Sequence, residues 1–337
     1  MRLWLPLAAG TAVLVVACST DRSSPTAPTA LTPPGDALSS ELAGGQRDNG
    51  NAHVMLTRVG LPRGFARHKK PGSGTGISYH GGPIIYTQNV AAVYWSSSTI
   101  YNGGPAPGTK GAGSADGSLV GFFLRSLGGS PYYNINTTYF DGTGAHVQNG
   151  ISYTQFWADN TNPGSAPSDA QIQAQVIAGF TSGNLAFDAN TLYLVFTGAG
   201  VNLGGGFGTR YCAYHGHFIW NGNDVKYAAE PHDYDFPTAC AALNGSPNGD
   251  FAADAEVNTV AHETEETNTD EDLNAWFDQV GNENADKCAW QFGTTFPAPN
   301  GATANQSIGG RSWLIQMNWV NALNSSGGPI GCRQQWP

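Results

Sequence analysis

Between Asp250 and Asp286 the chain carries twelve acidic residues and not one Lys or Arg. Such a stretch must stay in water or bring its carboxylates to cations, because like charges cost about 1 kcal/mol per close exposed pair. It also holds the most specific pattern in the chain, Val257-Asn258-Thr259-Val260-Ala261-His262-Glu263-Thr264-Glu265-Glu266, of the form H-E-x-x-E. On a helix, His262 and Glu266 project from one face a turn apart, which makes a two-ligand clamp. Glu263 points roughly 100° around the axis. That is the place of the general base in H-E-x-x-H metallopeptidases, so Glu263 is the candidate catalytic residue. Six acidic groups fall between Glu263 and Asp272, a density that a divalent ion relieves.

A catalytic zinc site takes three protein ligands and keeps one position open. Glu283, 21 residues after His262, ranks first as the third ligand; Asp286, 24 residues after it, ranks second, and Asp272 third. One His and two carboxylates neutralise a dication, with Zn as the first choice and Mn or Ca as alternatives. An EF-hand loop from Asp270 is excluded, because its sixth and twelfth positions hold Ala275 and Gly281 instead of Gly and Glu. The competing reading is a solvated acidic face with no ion. His215 and His217 alternate at the start of a strand and face one side. They are able to join a metal site, although a structural histidine beside a disulfide is the commoner role.

The net charge is −10 over 337 residues, so outside the acidic segment the chain sums to +2. No basic stripe exists to follow a phosphate backbone, and nucleic acid is excluded as a partner. Arg2 precedes an apolar run over 3–17, too short to span a bilayer and right for a signal-peptide core. The run ends Val15-Val16-Ala17-Cys18, similar to a bacterial lipobox, so Cys18 is expected to carry a lipid anchor. The protein is then exported and held at the cell envelope or surface. Residues 18–76, rich in Ser, Thr, Pro, Gly and Ala, read as a flexible tether, and 77–337 as the globular domain. Cys212, Cys240, Cys288 and Cys332 make an even set with three connectivities. Cys212 with Cys240 and Cys288 with Cys332 is the expected pairing, since the first closes a local loop and the second ties the ligand loop to the carboxyl terminus.

Residues 84–86 and 90–95 read as strands, and Thr191–Thr197, an unbroken apolar run, as a buried central one. Ser168 with Gln171 forms a capping box for a helix through Ile172, Val176, Ile177 and Phe180 that Gly183 closes. Residues 115–127 form a second helix, and 218–220 pairs with 225–228 across 221–224 as a hairpin. The fold class is α/β or α+β, a single zincin-like domain with a central mixed sheet and a metal-site helix. Gly198-Ala199-Gly200 fails as a dinucleotide fingerprint because position 203 is Leu203, and no G-x-S-x-G elbow occurs.

Four blocks carry a resemblance to the exordium or phosphate-induced protein family. They are Tyr79-His80-Gly81-Gly82-Pro83-Ile84 with the strand to Trp95; Leu192 to Thr197 followed by Cys212 and His215-Gly216; His262-Glu263-x-x-Glu266, Leu273 to Trp276 and Glu283-x-x-Asp286-x-Cys288; and Gly309-Gly310-Arg311 with Trp313 to Trp319 before Cys332. The resemblance implies a secreted protein and groups His262, Glu263, Glu266, Glu283, Asp286 and Cys288 as one unit. Growth signalling, linked to the plant members, is not carried over, because Thr269-Asp270-Glu271-Asp272 and the lipid anchor depart from the plant pattern. The expected function is that of an exported, lipid-anchored metal-dependent hydrolase, metallopeptidase-like, acting on peptide or a cell-wall polymer. In it His262, Glu266 and Glu283 hold the ion and Glu263 is the base. The alternative is a non-catalytic surface or carbohydrate-binding protein with a structural ion or none, its nine Trp and thirteen Tyr supplying stacking surface.

Overall fold

The computed structural model describes residues 52–59 and 76–337. The signal segment, Cys18 and most of the expected tether lie outside the described residues. Seven strands form one sheet: β1 (Ala52–Leu56), β2 (Gln88–Trp95), β3 (Thr109–Ala112), β4 (Ile151–Asp159), β5 (Thr191–Thr197), β6 (Tyr211–Trp220) and β7 (Asn223–Glu230). Their order is β1-β6-β7-β5-β2-β4-β3. The inner four, β7, β5, β2 and β4, run parallel. β6, β1 and β3 each pair antiparallel with their inner neighbours. This is a mixed α/β architecture around a central mixed sheet. Both faces of β5 are covered, which is why Thr191–Thr197 is apolar without alternation and buried throughout.

The period-2 alternation of the strands sorts residues into two layers. Val90, Ala92, Tyr94, Leu192, Leu194 and Phe196 pack toward α1 (Leu119–Leu127) and α3 (Phe251–Thr269). Ala91, Val93, Trp95, Tyr193 and Val195 pack toward α2 (Asp169–Thr181). α2 begins with the expected capping box, Ser168 N–H donating to Gln171 Oε1 at 2.9 Å. α1 starts later than the periodicity implied: Gly113–Ala115 forms a separate 3-10 turn, and Ser118 caps the helix through Gly121 N at 2.9 Å. The hairpin is longer than expected and its turn tighter. Trp220 pairs directly with Asn223, and Asn221 and Gly222 have φ of 50° and 78°, the left-handed pair that a two-residue turn demands.

Two expectations are corrected. Residues 84–86 are not a strand; Ile84 and Ile85 are buried in irregular chain, and Ile85 N–H donates to Asn268 O at 3.0 Å. The expected tether over 18–76 is interrupted by a strand, because Ala52–Leu56 is an edge strand of the sheet with Ala52, Val54 and Met55 buried. Cys212 bonds to Cys240 and Cys288 to Cys332, bridges that form and persist in an oxidising, extracellular setting. Among the described residues no helix is long and apolar enough to cross a membrane.

α3 overturns the solvated-face reading of the acidic segment. Its residues from Ala253 to Thr269 are all buried, although a helix this polar normally faces water. Neighbours supply what water would: Asn318 Nδ2 donates to Glu265 Oε2 at 2.6 Å, Asn268 Nδ2 to Ile85 O at 2.7 Å, and Thr259 Oγ1 to Asp233 Oδ2 at 2.8 Å. Gln316 N–H donates to Asn258 Oδ1 at 2.8 Å.

Candidate metal centre

Three elements bring side chains to one buried point. The register of β1 against β6 sets His53 opposite His215, and β6 against β7 sets His215 opposite Ala228, a residue of the layer beneath α3. Both imidazoles therefore face α3, which contributes His262, Glu263 and Glu266. The third element is the chain returning from α3. Asp270 ends the helix and its Oδ1 accepts from Ala275 N–H at 2.5 Å. The following turn lies beneath residues 80–82, where Gly82 N–H donates to Asn274 O at 3.0 Å. A Cβ on Gly82 would stand 1.6 Å from Asn274 Oδ1, so only glycine fits. A single 3-10 turn, Asp286–Cys288, then presents Asp286, with Cys288 fixed by its disulfide to Cys332.

His53, His215, His262, Glu263, Glu266, Glu283 and Asp286 are each 0 or 1% exposed. His262 Nε2 lies 3.1 Å from Glu266 Oε1 and 3.6 Å from Asp286 Oδ1. His53 Nε2 is 2.6 Å from Asp286 Oδ2 and 3.9 Å from Glu266 Oε2, and its Nδ1 is 3.7 Å from Glu283 Oε1. His215 Nδ1 is 2.9 Å from Glu263 Oε2 and 3.7 Å from Glu266 Oε2, and its Nε2 is 3.7 Å from Glu283 Oε2. Donors bonded to one ion at about 2.1 Å sit roughly 3.0 to 3.4 Å apart, so most of these separations are closer to the edges of a coordination shell than to direct hydrogen bonds. Among the described residues, Glu263 Oε1 and Glu266 Oε2 have no hydrogen-bond partner, an arrangement costly for buried polar atoms, and His262 Nε2 and Asp286 Oδ1 meet only each other and Glu266.

The electrostatics follow the crowding. Burial opposes a charged His262, but Glu266, Asp286 and Glu263 outweigh it and hold the imidazole pKa well above its usual value. Burial raises Glu263 and Glu266; Asp286 pushes both further up, and His262 pulls them back. Asp286 is also penalised by burial, yet His53 and His262 beside it hold it well below the carboxylate range.

Asp286, not Glu283, stands against the His262 and Glu266 clamp, while Glu283 lies between His53 and His215. Asp272 is elsewhere, 3.8 Å from His217 Nδ1, which is 3.0 Å from Asp224. Lys226 supplies the cation there, 3.2 Å from Asp224 and 2.8 Å from Glu271. His215 and His217 therefore part company. Sequence reasoning missed His53 and Gln316. His53 sat in the presumed tether, where the short apolar run Val54-Met55-Leu56 beside it was the one strand signal. Gln316 Nε2 donates to Ala285 O at 3.0 Å and lies 2.9 Å from His262 Nδ1.

A cleft of about 260 Å³ opens past the ends of β2 and β5, lined among others by Ser96, Ser98, Thr99, Asn162, Gly198 and His232. None of the seven clustered residues lines it.

A family model described as the phosphate-induced protein 1 conserved region matches residues 128–318, a span that includes His215, α3, Glu283 and Asp286. Two proteins of Arabidopsis thaliana are similar. Protein EXORDIUM-like 3 is 27% identical over 244 residues, covering 63% of this chain and 72% of its own. Protein EXORDIUM-like 5 is 24% identical over 253 residues, covering 63% and 69%. No solved structure matches the chain.

Proposed function

The chain belongs to the phosphate-induced protein 1 family, and from that premise we propose that it is an exported, lipid-anchored metalloprotein whose divalent ion sits against α3. His262, Glu266 and Asp286 are its ligands, with His53 adjoining. The observation that carries this reading is the set of buried imidazole and carboxylate atoms that face one another at 3.1 to 3.9 Å, several of them without hydrogen bonds. A folded protein does not keep such atoms uncompensated, and a dication compensates them together. The imidazole content favours Zn or Mn over Ca. His262 ligates through Nε2, the atom that faces Glu266 and Asp286, with Gln316 against its Nδ1.

The ion is structural in this reading. A catalytic zinc keeps a position open to substrate, whereas these residues are buried and the cleft past the ends of β2 and β5 is lined by others. The protein is thus a surface-held binding or scaffold protein stabilised by its ion, and the hydrolase expected from H-E-x-x-E gives way. Elemental analysis of purified, dialysed protein tests it. Wild type is expected to retain at least one divalent ion per chain, and His262→Ala to lose metal and melt at a lower temperature. Wild type free of metal after supplementation with Zn or Mn overturns the reading. Metal-dependent hydrolysis of a peptide or cell-wall polymer overturns the structural assignment of the ion. Fatty-acid labelling that is equal in wild type and Cys18→Ser overturns the anchor.

A further inference from the structure

We propose that the centre takes two divalent ions, bridged by Glu266. This rests on the metal-centre reading above and extends it.

The donors sort themselves around that one side chain. Ligand atoms of His53, Glu266 and Asp286 all lie within 4.8 Å of one another, and so do those of His215, Glu263 and Glu266. Glu266 is common to both groups, and its two oxygens address different neighbours. Oε1 faces His262 Nε2 at 3.1 Å and accepts from the backbone N–H of Asp286 at 2.9 Å. Oε2 faces His53 at 3.9 Å and His215 at 3.7 Å, and has no hydrogen-bond partner although Glu266 is 0% exposed. Glu266 thus presents Oε1 to His262 and Oε2 to both His53 and His215, and a carboxylate that reaches two ligand groups is suited to bridging a metal pair, whose ions sit about 3.5 to 4 Å apart.

Ligand number and charge agree. A single tetrahedral ion uses four donors at most and would leave three buried residues of this cluster unused. Two ions draw on six of them. One takes His53, His262 and Asp286 with Glu266; the other takes His215 through Nδ1 and Glu263 with Glu266, while Glu283 faces the opposite nitrogens, Nδ1 of His53 and Nε2 of His215. The four carboxylates, once ionised by metal binding, carry −4, which two dications neutralise. Glu263, the base expected from the motif, becomes a ligand, and His215 is its partner on the same ion.

The test uses metal-free protein loaded with Mn²⁺ and, separately, with Zn²⁺. Equilibrium dialysis with elemental analysis counts the ions, and electron paramagnetic resonance of the Mn²⁺ form reads their proximity. Two ions per chain are expected, with the exchange-coupled spectrum of a close Mn pair. His215→Ala and Glu263→Gln are each expected to fall to one ion and to show the six-line spectrum of isolated Mn²⁺. Saturation of wild type at one ion, or two ions with only isolated-Mn signals, overturns the pair while leaving the single-ion reading in place. No metal at all removes both. Wild-type stoichiometry in Glu263→Gln overturns the assignment of the second ion. Melting curves of the chelated variants against chelated wild type show whether each substitution has left the fold intact, and the wild-type count and spectrum decide the pair without any variant.

Discussion

Gln316 orients His262 from behind. Its Nε2 donates to Ala285 O at 3.0 Å and lies 2.9 Å from His262 Nδ1, which leaves Nε2, the atom that faces Glu266 and Asp286, as the ligating nitrogen in the proposed centre. Outer partners of this kind typically set metal affinity by 10- to 100-fold. Gln316→Leu is therefore expected to weaken Zn affinity about that much in a competition titration against a chromophoric chelator. Unchanged affinity would mean that Gln316 only holds Ala285 in place. The motif residues were legible in the sequence because a helix repeats every 3.6 residues and the ligands fall a turn apart. Glu283 and Asp286 were legible as candidates but not in their order, since a turn between helix and ligand loop decides which carboxylate reaches the clamp. His53 and Gln316 come from distant parts of the chain, and nothing local to either residue marks it as part of a metal centre.

At the scale of elements, α3 is a polar helix that the fold buries, and this has a consequence in pH. Burial, with a smaller contribution from Asp235, pushes Glu256 up to about 8 against the bonds from its neighbours. An unfolded glutamate titrates near 4.3. The folded state thus keeps a proton that the unfolded state gives up, so the stability this group supplies is complete below about pH 4 and is lost as pH rises toward 8. The loss is on the order of 4 kcal/mol for this group, and buried Glu230 and Asp233 are raised in the same direction. Chelated protein is accordingly expected to melt at a lower temperature at pH 8 than at pH 5. Metal-loaded protein is expected to reverse the trend, because protons and ions compete for the carboxylates. A chelated protein that gains stability over this range would show that α3 is not buried with its acids neutral. Sequence anticipated the helix but not its burial, since composition says water and only the surrounding Asn, Thr and Gln side chains say otherwise. β5 and α2 were legible for the opposite reason, their apolar pattern and capping residues agreeing with what tertiary packing demands.

For the whole molecule, the two disulfides divide the labour, and their difference is measurable. Cys212–Cys240 closes 28 residues between β6 and the segment after β7, and Cys288–Cys332 closes 44 residues and fixes the turn that presents Asp286. In the chain-entropy account each stabilises by roughly 4 kcal/mol, so equal losses of melting temperature are expected when either pair is replaced by Ser in chelated protein. Metal behaviour should separate them. Releasing Cys288 frees the Asp286–Cys288 turn, which holds one ligand and, through Asp286 N–H, one oxygen of Glu266. Its loss should therefore speed metal release as well as lower stability. Cys212–Cys240 touches the centre only through the β6 strand that carries His215, whose position is already fixed by pairing with β1 and β7. Metal release from the Cys212→Ser, Cys240→Ser double variant should match wild type at a temperature where both remain folded. The comparison is a stopped-flow chelation experiment on both double variants and wild type. If the Cys288→Ser, Cys332→Ser variant releases metal no faster than the other, the turn does not depend on its bridge, and α3, His53 and the Glu283 N–H suffice to hold Asp286.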